Sequence, residues 1–87
     1  MAKIQLIDHW ASWCGPCRIM EPIIEEIEKE LGDKVEIVKI NVDEKPEEAQ
    51  KYGVMSIPTY IILKDEKEVG RKIGVTAKAE LIKLLQS

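Results

Sequence analysis

Cys14 and Cys17 are the only cysteines in this chain, set two residues apart in Trp13-Cys14-Gly15-Pro16-Cys17. Two thiols at that spacing read as a dithiol/disulfide redox centre. Ahead of them runs an apolar stretch, Ile4 to Trp10. Behind them Ile19, Ile23, Ile27 and Leu31 recur at i+4, with Met20 and Ile24 beside them, which is the pattern of a helix. Cys14 is therefore expected where a strand hands over to a helix, near the first turn. Unpaired N–H groups and the helix dipole favour an anion there. The thiolate is the nucleophile in disulfide exchange, so the position lowers the thiol pKa where the chemistry needs it. Pro16 suits the first turn, since its missing N–H costs nothing there.

The elements that must hold this centre follow in order. Lys3 to Trp10 reads as the first strand, with Ile4, Leu6 and Asp8 on one face and Gln5, Ile7 and His9 on the other. The helix is expected from Gly15 to Leu31, stopped by Gly32 and kinked at Pro22. Glu21, Glu25, Glu28 and Lys29 read as its solvated face. Val35 to Val42 is a β-branched strand, and the crossover helix makes it parallel to the first. A short, weakly apolar helix is expected at Glu47 to Tyr52, ended by Gly53. Thr59 to Leu63 and Val69 to Ile73 pair as a hairpin across Lys64-Asp65-Glu66-Lys67, a turn without Gly and so of no obvious type. Thr76 can cap a last helix that buries Leu81, Ile82 and Leu85. The order βαβ-α-ββα gives an α/β fold, a four-stranded mixed sheet with helices on both faces.

Composition narrows the function. Eighty-seven residues are expected to make one domain. The hydrophobic share is 45%, the charged share 33% and the net charge −3, with both signs interspersed. No basic block suggests a nucleic-acid surface, and no apolar run approaches a membrane span. No signal peptide is expected ahead of Lys3, which places the chain in the cytoplasm. Two cysteines there read as catalytic rather than stapling.

Asp8-His9-Trp10-Ala11-Ser12-Trp13-Cys14-Gly15-Pro16-Cys17-Arg18 resembles the active-site segment of the thioredoxins, usually D-F-W-A-x-W-C-G-P-C-K. Further matches follow: Pro22, Lys39 in Lys39-Ile40-Asn41-Val42-Asp43, Tyr52-Gly53, Ile57-Pro58-Thr59 and Gly74. They extend over nearly the whole chain. The departures are specific. The family usually has a further strand and helix ahead of the segment matching Ile4 to Asp8, and this unit is expected to be absent here. Polar Gln5 and His9 on the face it would cover suggest that the face is half open, with His9 partly exposed. The chain has no Phe. Its abundant Ile, Glu and Lys suit a thermophile or a designed minimal version.

The resemblance implies a protein disulfide reductase. Cys14 would be the attacking thiolate and Cys17 the resolving thiol, an order that also rests on access, with Cys17 turned inward by one helical turn. Asp8 would take the Cys17 proton, with Lys39 as its charge partner. Pro58 would be cis, leaving the Ile57 backbone free to pair with an extended substrate. Trp13, Gly15, Pro16, Ile57, Pro58, Gly74 and Val75 would form the substrate-binding surface. Trp10 reads as packing. The implied partners are disulfide-containing proteins and an electron-donating thioredoxin reductase, with no bound cofactor and a monomeric chain. Two other classes stay open. One is a metal or iron–sulfur carrier, for which the cysteine pair supplies half a site and only His9 a third ligand. The other is a minimal or designed scaffold that keeps the motif with weak activity.

Overall fold

The computed structural model describes residues 3–86. The expectation about what precedes Lys3 lies outside them. The chain runs β1 (Ile4–Trp10), α1 (Gly15–Leu31), β2 (Glu36–Asn41), α2 (Pro46–Lys51), β3 (Thr59–Lys64), β4 (Lys67–Ile73) and α3 (Lys78–Gln86). The sheet order is β2-β1-β3-β4. β1 pairs with β2 in parallel, while β1–β3 and β3–β4 are antiparallel. This is the mixed sheet expected.

Alternation along β1 sorts its side chains onto two cores. Leu6 joins Tyr60 and Ile62 of β3 beneath Met20, Ile24 and Ile27 of α1 and Leu81 and Leu85 of α3. Each such aliphatic burial contributes about 1.5–3 kcal/mol, so this face holds most of the stability. α3 comes close to β4 because position 70 is Gly: a Cβ there would lie 3.1 Å from Leu84 Cδ2. On the opposite face Ile7, Ile40, Ile61 and Leu63 pack with Val38, Tyr52 and Val54. α2 itself buries no side chain, as its weak pattern implied. The segment just after it, Tyr52 to Val54, covers the sheet instead.

That cover overturns one expectation. His9 is 0% exposed, not partly open to solvent. Its ring lies edge-on to Tyr52 at 6.0 Å between centroids. Neither ring nitrogen has a hydrogen-bond partner. Burial holds its pKa below the ordinary 6.5, a Thr59 backbone group and Glu48 oppose this, and Arg71 adds to it. At the other end of the same face the polar reading stands, since the Gln5 amide donates to Glu36 at the surface.

Two further details differ from expectation. The hairpin loop is Asp65-Glu66, both at positive φ (53° and 70°), the hand a two-residue connection needs. It forms without Gly because Asp65 is clasped to Lys3: Asp65 N–H donates to Lys3 O at 2.8 Å and Lys3 N–H to Asp65 Oδ1 at 2.9 Å. The Thr76 hydroxyl does not start α3. It donates to Gly74 O, and Ala77 O accepts the first helical N–H bonds.

Candidate active site

Cys14 stands at the N-cap of α1 and Cys17 in its first turn, with Pro16 between them where no N–H is needed. The sulfurs are joined as a disulfide, with Cα atoms 5.3 Å apart. The Cys17 N–H donates to Cys14 Sγ at 3.2 Å. One orphan donor of the helix start is thus aimed at the first sulfur. Arg18 braces the turn from outside, its guanidinium donating to Ser12 O at 3.0 Å. Access does not separate the two cysteines: they are 3% and 6% exposed. Both pack with Ala11, against Trp10, Val42 and Ile57. Their surroundings separate them instead. Cys14 receives the backbone donor, and Cys17 lines a cavity.

That cavity, about 310 Å³, is walled by Asp8, Trp10, Cys17, Arg18, Glu21 and Lys39, among others. Asp8 is buried and its Oδ1 has no partner. Burial pushes its pKa from 3.8 up to about 6, Lys39 pulls it down and Glu21 pushes it further up. Lys39 sits in register with Asp8 on β2. No ion pair closes between them among the described residues, so Lys39 acts through space. Tyr60 is the β3 partner of Asp8, and its own pKa rises with burial and with the Asp8 charge. The cavity brings together Asp8, Cys17 and Lys39, which the sequence singled out, with Glu21, which is exposed as its helix position predicted.

On the other side of the disulfide lies an apolar surface. Trp13 is 68% exposed, and its indole N–H donates to Asp43 Oδ2 at 2.8 Å. Asp43 is itself set by an Asx turn, its N–H donating to Asn41 Oδ1 at 2.9 Å. A second cavity of about 410 Å³ is lined by Trp13, Val42, Ala49, Val54, Met55 and Ile57 with Ser56. Met55 stands 97% exposed at its edge. The Ile57–Pro58 bond is cis, as the resemblance implied. Pro58 itself is not surface, however: its ring is fully buried and its carbonyl accepts the Gly74 N–H at 2.8 Å. Gly74 itself has a φ of +85°, where a side chain would be strained. Pro58 therefore anchors the rim, while Trp13, Ile57 and Val75 present it. Asp43 and Met55 were missed. Asn41-Val42-Asp43 at a strand end was a readable turn signal for the first; nothing marked the second.

His9 lies across the sheet from the cysteines and belongs to the other core. Among the described residues no three His, Cys, Asp or Glu side chains are grouped to hold a metal ion.

The thioredoxin family model matches residues 1–87. Thioredoxin of Bacillus subtilis (strain 168) is 51% identical over 82 residues, 94% of this chain and 79% of that protein. Among solved structures, a mutant thioredoxin from Halobacterium salinarum NRC-1 superposes with a TM-score of 0.89 at 32% identity, covering 97% of this chain and 73% of that one. A chain from a structure on thiol resolving in yeast mitochondrial 1-Cys peroxiredoxin via the glutathione/thioredoxin systems gives 0.89 at 33%, covering 97% and 77%. The chain belongs to the thioredoxin family, and its adjacent Cys14–Cys17 pair makes it a protein disulfide reductase of the thiol–disulfide oxidoreductase class.

Proposed function

We propose that Cys14 is the attacking thiolate, Cys17 the resolving thiol and Asp8 the base that takes the Cys17 proton. Reduced Cys14 attacks one sulfur of a target disulfide, and the other target sulfur leaves as a thiolate. The mixed disulfide then holds Cys14. Cys17 gives its proton to Asp8 and attacks Cys14 Sγ, forming the Cys14–Cys17 bond and releasing the second target thiol. Two electrons pass to the target, and an electron-donating thioredoxin reductase returns the protein to the dithiol. Lys39 moderates the charge that builds on Asp8 without neutralising it.

The observation that carries the assignment is the asymmetry around the sulfurs. Cys14 Sγ is the one that accepts a backbone N–H, which favours a thiolate there. Cys17 is the one that shares a cavity with an unpartnered carboxylate of raised pKa. A base that titrates near 6 is matched to proton transfer at neutral pH far better than an ordinary Asp.

Targets dock, in this reading, along Trp13, Gly15, Pro16, Ile57, Gly74 and Val75, with Pro58 fixing the rim from below. The exposed Trp13, Met55 and Val75 favour apolar residues beside the target cystine. A peroxiredoxin named with one structural neighbour is one kind of target such a surface serves. The protein works as a single-domain monomer in the cytoplasm. No described helix is long and apolar enough to cross a membrane.

The test is trapping. Cys17→Ser should accumulate mixed disulfides with insulin or other cystine proteins, and Cys14→Ser should neither trap nor reduce. Equal trapping by the two variants would reverse or remove the assignment.

A further inference from the structure

We propose that Glu21 governs proton uptake by Asp8, as a carboxyl group on the open wall of the cavity that Asp8 and Cys17 share. The inference deepens the role given to Asp8 and rests on it. Glu21 follows Cys17 by four residues on α1, so both side chains fall on one face of the helix. Both line the 310 Å³ cavity with Asp8. Glu21 is exposed, and no ion pair or hydrogen bond neutralises it among the described residues.

The charged and titratable groups facing Asp8 are few. α1 brings Cys17, Arg18 and Glu21; β2 brings Lys39; β3 brings Tyr60, buried and protonated. Of these, Lys39 and Glu21 act on Asp8 with opposite sign. The Arg18 guanidinium donates to Ser12 O, and no ion pair joins it to a carboxylate among the described residues. Glu21 therefore opposes Lys39. It makes Asp8 a stronger base when ionised, and it keeps Asp8 protonated, hence unable to accept, further up the pH scale. The reaction is confined to neutral pH by a side chain that never touches the reacting atoms. Glu21 is a positioning residue in this sense.

The experiment compares Glu21→Gln, Glu21→Asp and Glu25→Gln. Glu25 is exposed on the same helix and does not line the cavity. The titration of the Asp8 side-chain carboxyl is followed by carbon NMR in the oxidised protein. Glu21→Gln should move the Asp8 midpoint down by a few tenths of a pH unit, as expected for an exposed charge acting across a wet cavity. Glu21→Asp should keep most of the parent's position, and Glu25→Gln all of it. Added salt should shrink the difference between parent and Glu21→Gln. The acid limb of the insulin-reduction profile should shift the same way in Glu21→Gln, and not in an Asp8→Asn background. An Asp8 midpoint unmoved by Glu21→Gln, or moved equally by Glu25→Gln, overturns the inference. So does a moved midpoint with an unmoved acid limb in a protein that still needs Asp8. Turnover unaffected by Asp8→Asn alone would instead remove the base role, while the NMR measurement still decides whether Glu21 acts on Asp8.

Discussion

Asp8 and His9 are consecutive residues of one strand, both buried, and each keeps polar atoms without a partner. They face opposite sides of the sheet. Asp8 lines a cavity with a disulfide cysteine, a lysine and a glutamate, so its desolvated carboxylate has charges to answer to and a path to solvent. His9 is fully buried with Tyr52 edge-on to its ring and lines neither of the two cavities. The same local irregularity, a polar side chain in a β-strand core, thus opens onto the redox centre on one face, where we propose it acts as a base, and is sealed off on the other. Burial alone does not mark a catalytic group. Burial beside a reactive atom in a cavity does.

Their pH dependences should run in opposite directions. Asp8 has a folded pKa of about 6 against an ordinary 3.8, so between these values the native state binds more protons than the unfolded chain. Its contribution is most favourable below 3.8 and is lost as pH rises through 6. His9 has a folded pKa below 6.5, so the unfolded chain binds more protons. Its contribution is complete above 6.5 and is lost as pH falls toward the folded value.

The sharpest test is Asp8→Asn. The ionised Asp8 costs the fold about 3 kcal/mol at pH 7, since each pKa unit is worth about 1.4 kcal/mol. Removing the charge but keeping a polar group should recover roughly 2 kcal/mol at pH 7 and little at pH 4, read as denaturant midpoints. Turnover at pH 7 should fall about 100-fold. A variant less stable than its parent at pH 7 would show Asp8 to be well solvated or paired, and the contrast with His9 would collapse.

His9→Phe should do the reverse on function and less on stability. The substitution removes two unpartnered nitrogens and keeps an aromatic ring against Tyr52. A gain of about 1 kcal/mol is expected at pH 7, growing as pH drops toward 5 because the parent alone loses stability there. Turnover should stay within about twofold. A large loss of turnover would mean that His9 serves the reaction through the sheet, and the two faces could no longer be treated separately. The double variant probes the same point. Side chains on opposite faces should give stability changes that add within about 0.5 kcal/mol.

Much of this was legible in the sequence, for identifiable reasons. Apolar patterning gave β1, α1 and β3, where it is unambiguous, end signals gave α2, and Gly32 ends α1 as read. The cysteine spacing gave the centre, and register then brought Lys39 beside Asp8. The failures share a cause, tertiary cover that leaves no local trace. His9 looked partly exposed because the unit that would cover its face was expected to be absent, yet the ring is fully buried, edge-on to Tyr52 beyond α2. Pro58 was expected at the docking surface through the family resemblance, while its buried ring and its bond to Gly74 belong to the floor.

The smallest effect is expected where water is not excluded at all. Trp13 donates to Asp43 across an exposed contact, the opposite limit from the buried atoms of Asp8 and His9. Water replaces such a partner readily, so Asp43→Ala should change stability by less than about 0.5 kcal/mol. The bond does restrict the indole, which stands beside the disulfide with most of its surface in solvent. Loss of that restriction adds ordering entropy to every docking event, of order 0.5–1 kcal/mol for one side chain. That corresponds to a two- to fivefold rise in KM for insulin, with kcat nearly unchanged because the proton path proposed through Asp8 is untouched. Steady-state kinetics at pH 7 separate the two parameters. A fall in kcat without a change in KM would place Asp43 in the chemistry, and exposed polar contacts would then matter here as much as buried ones.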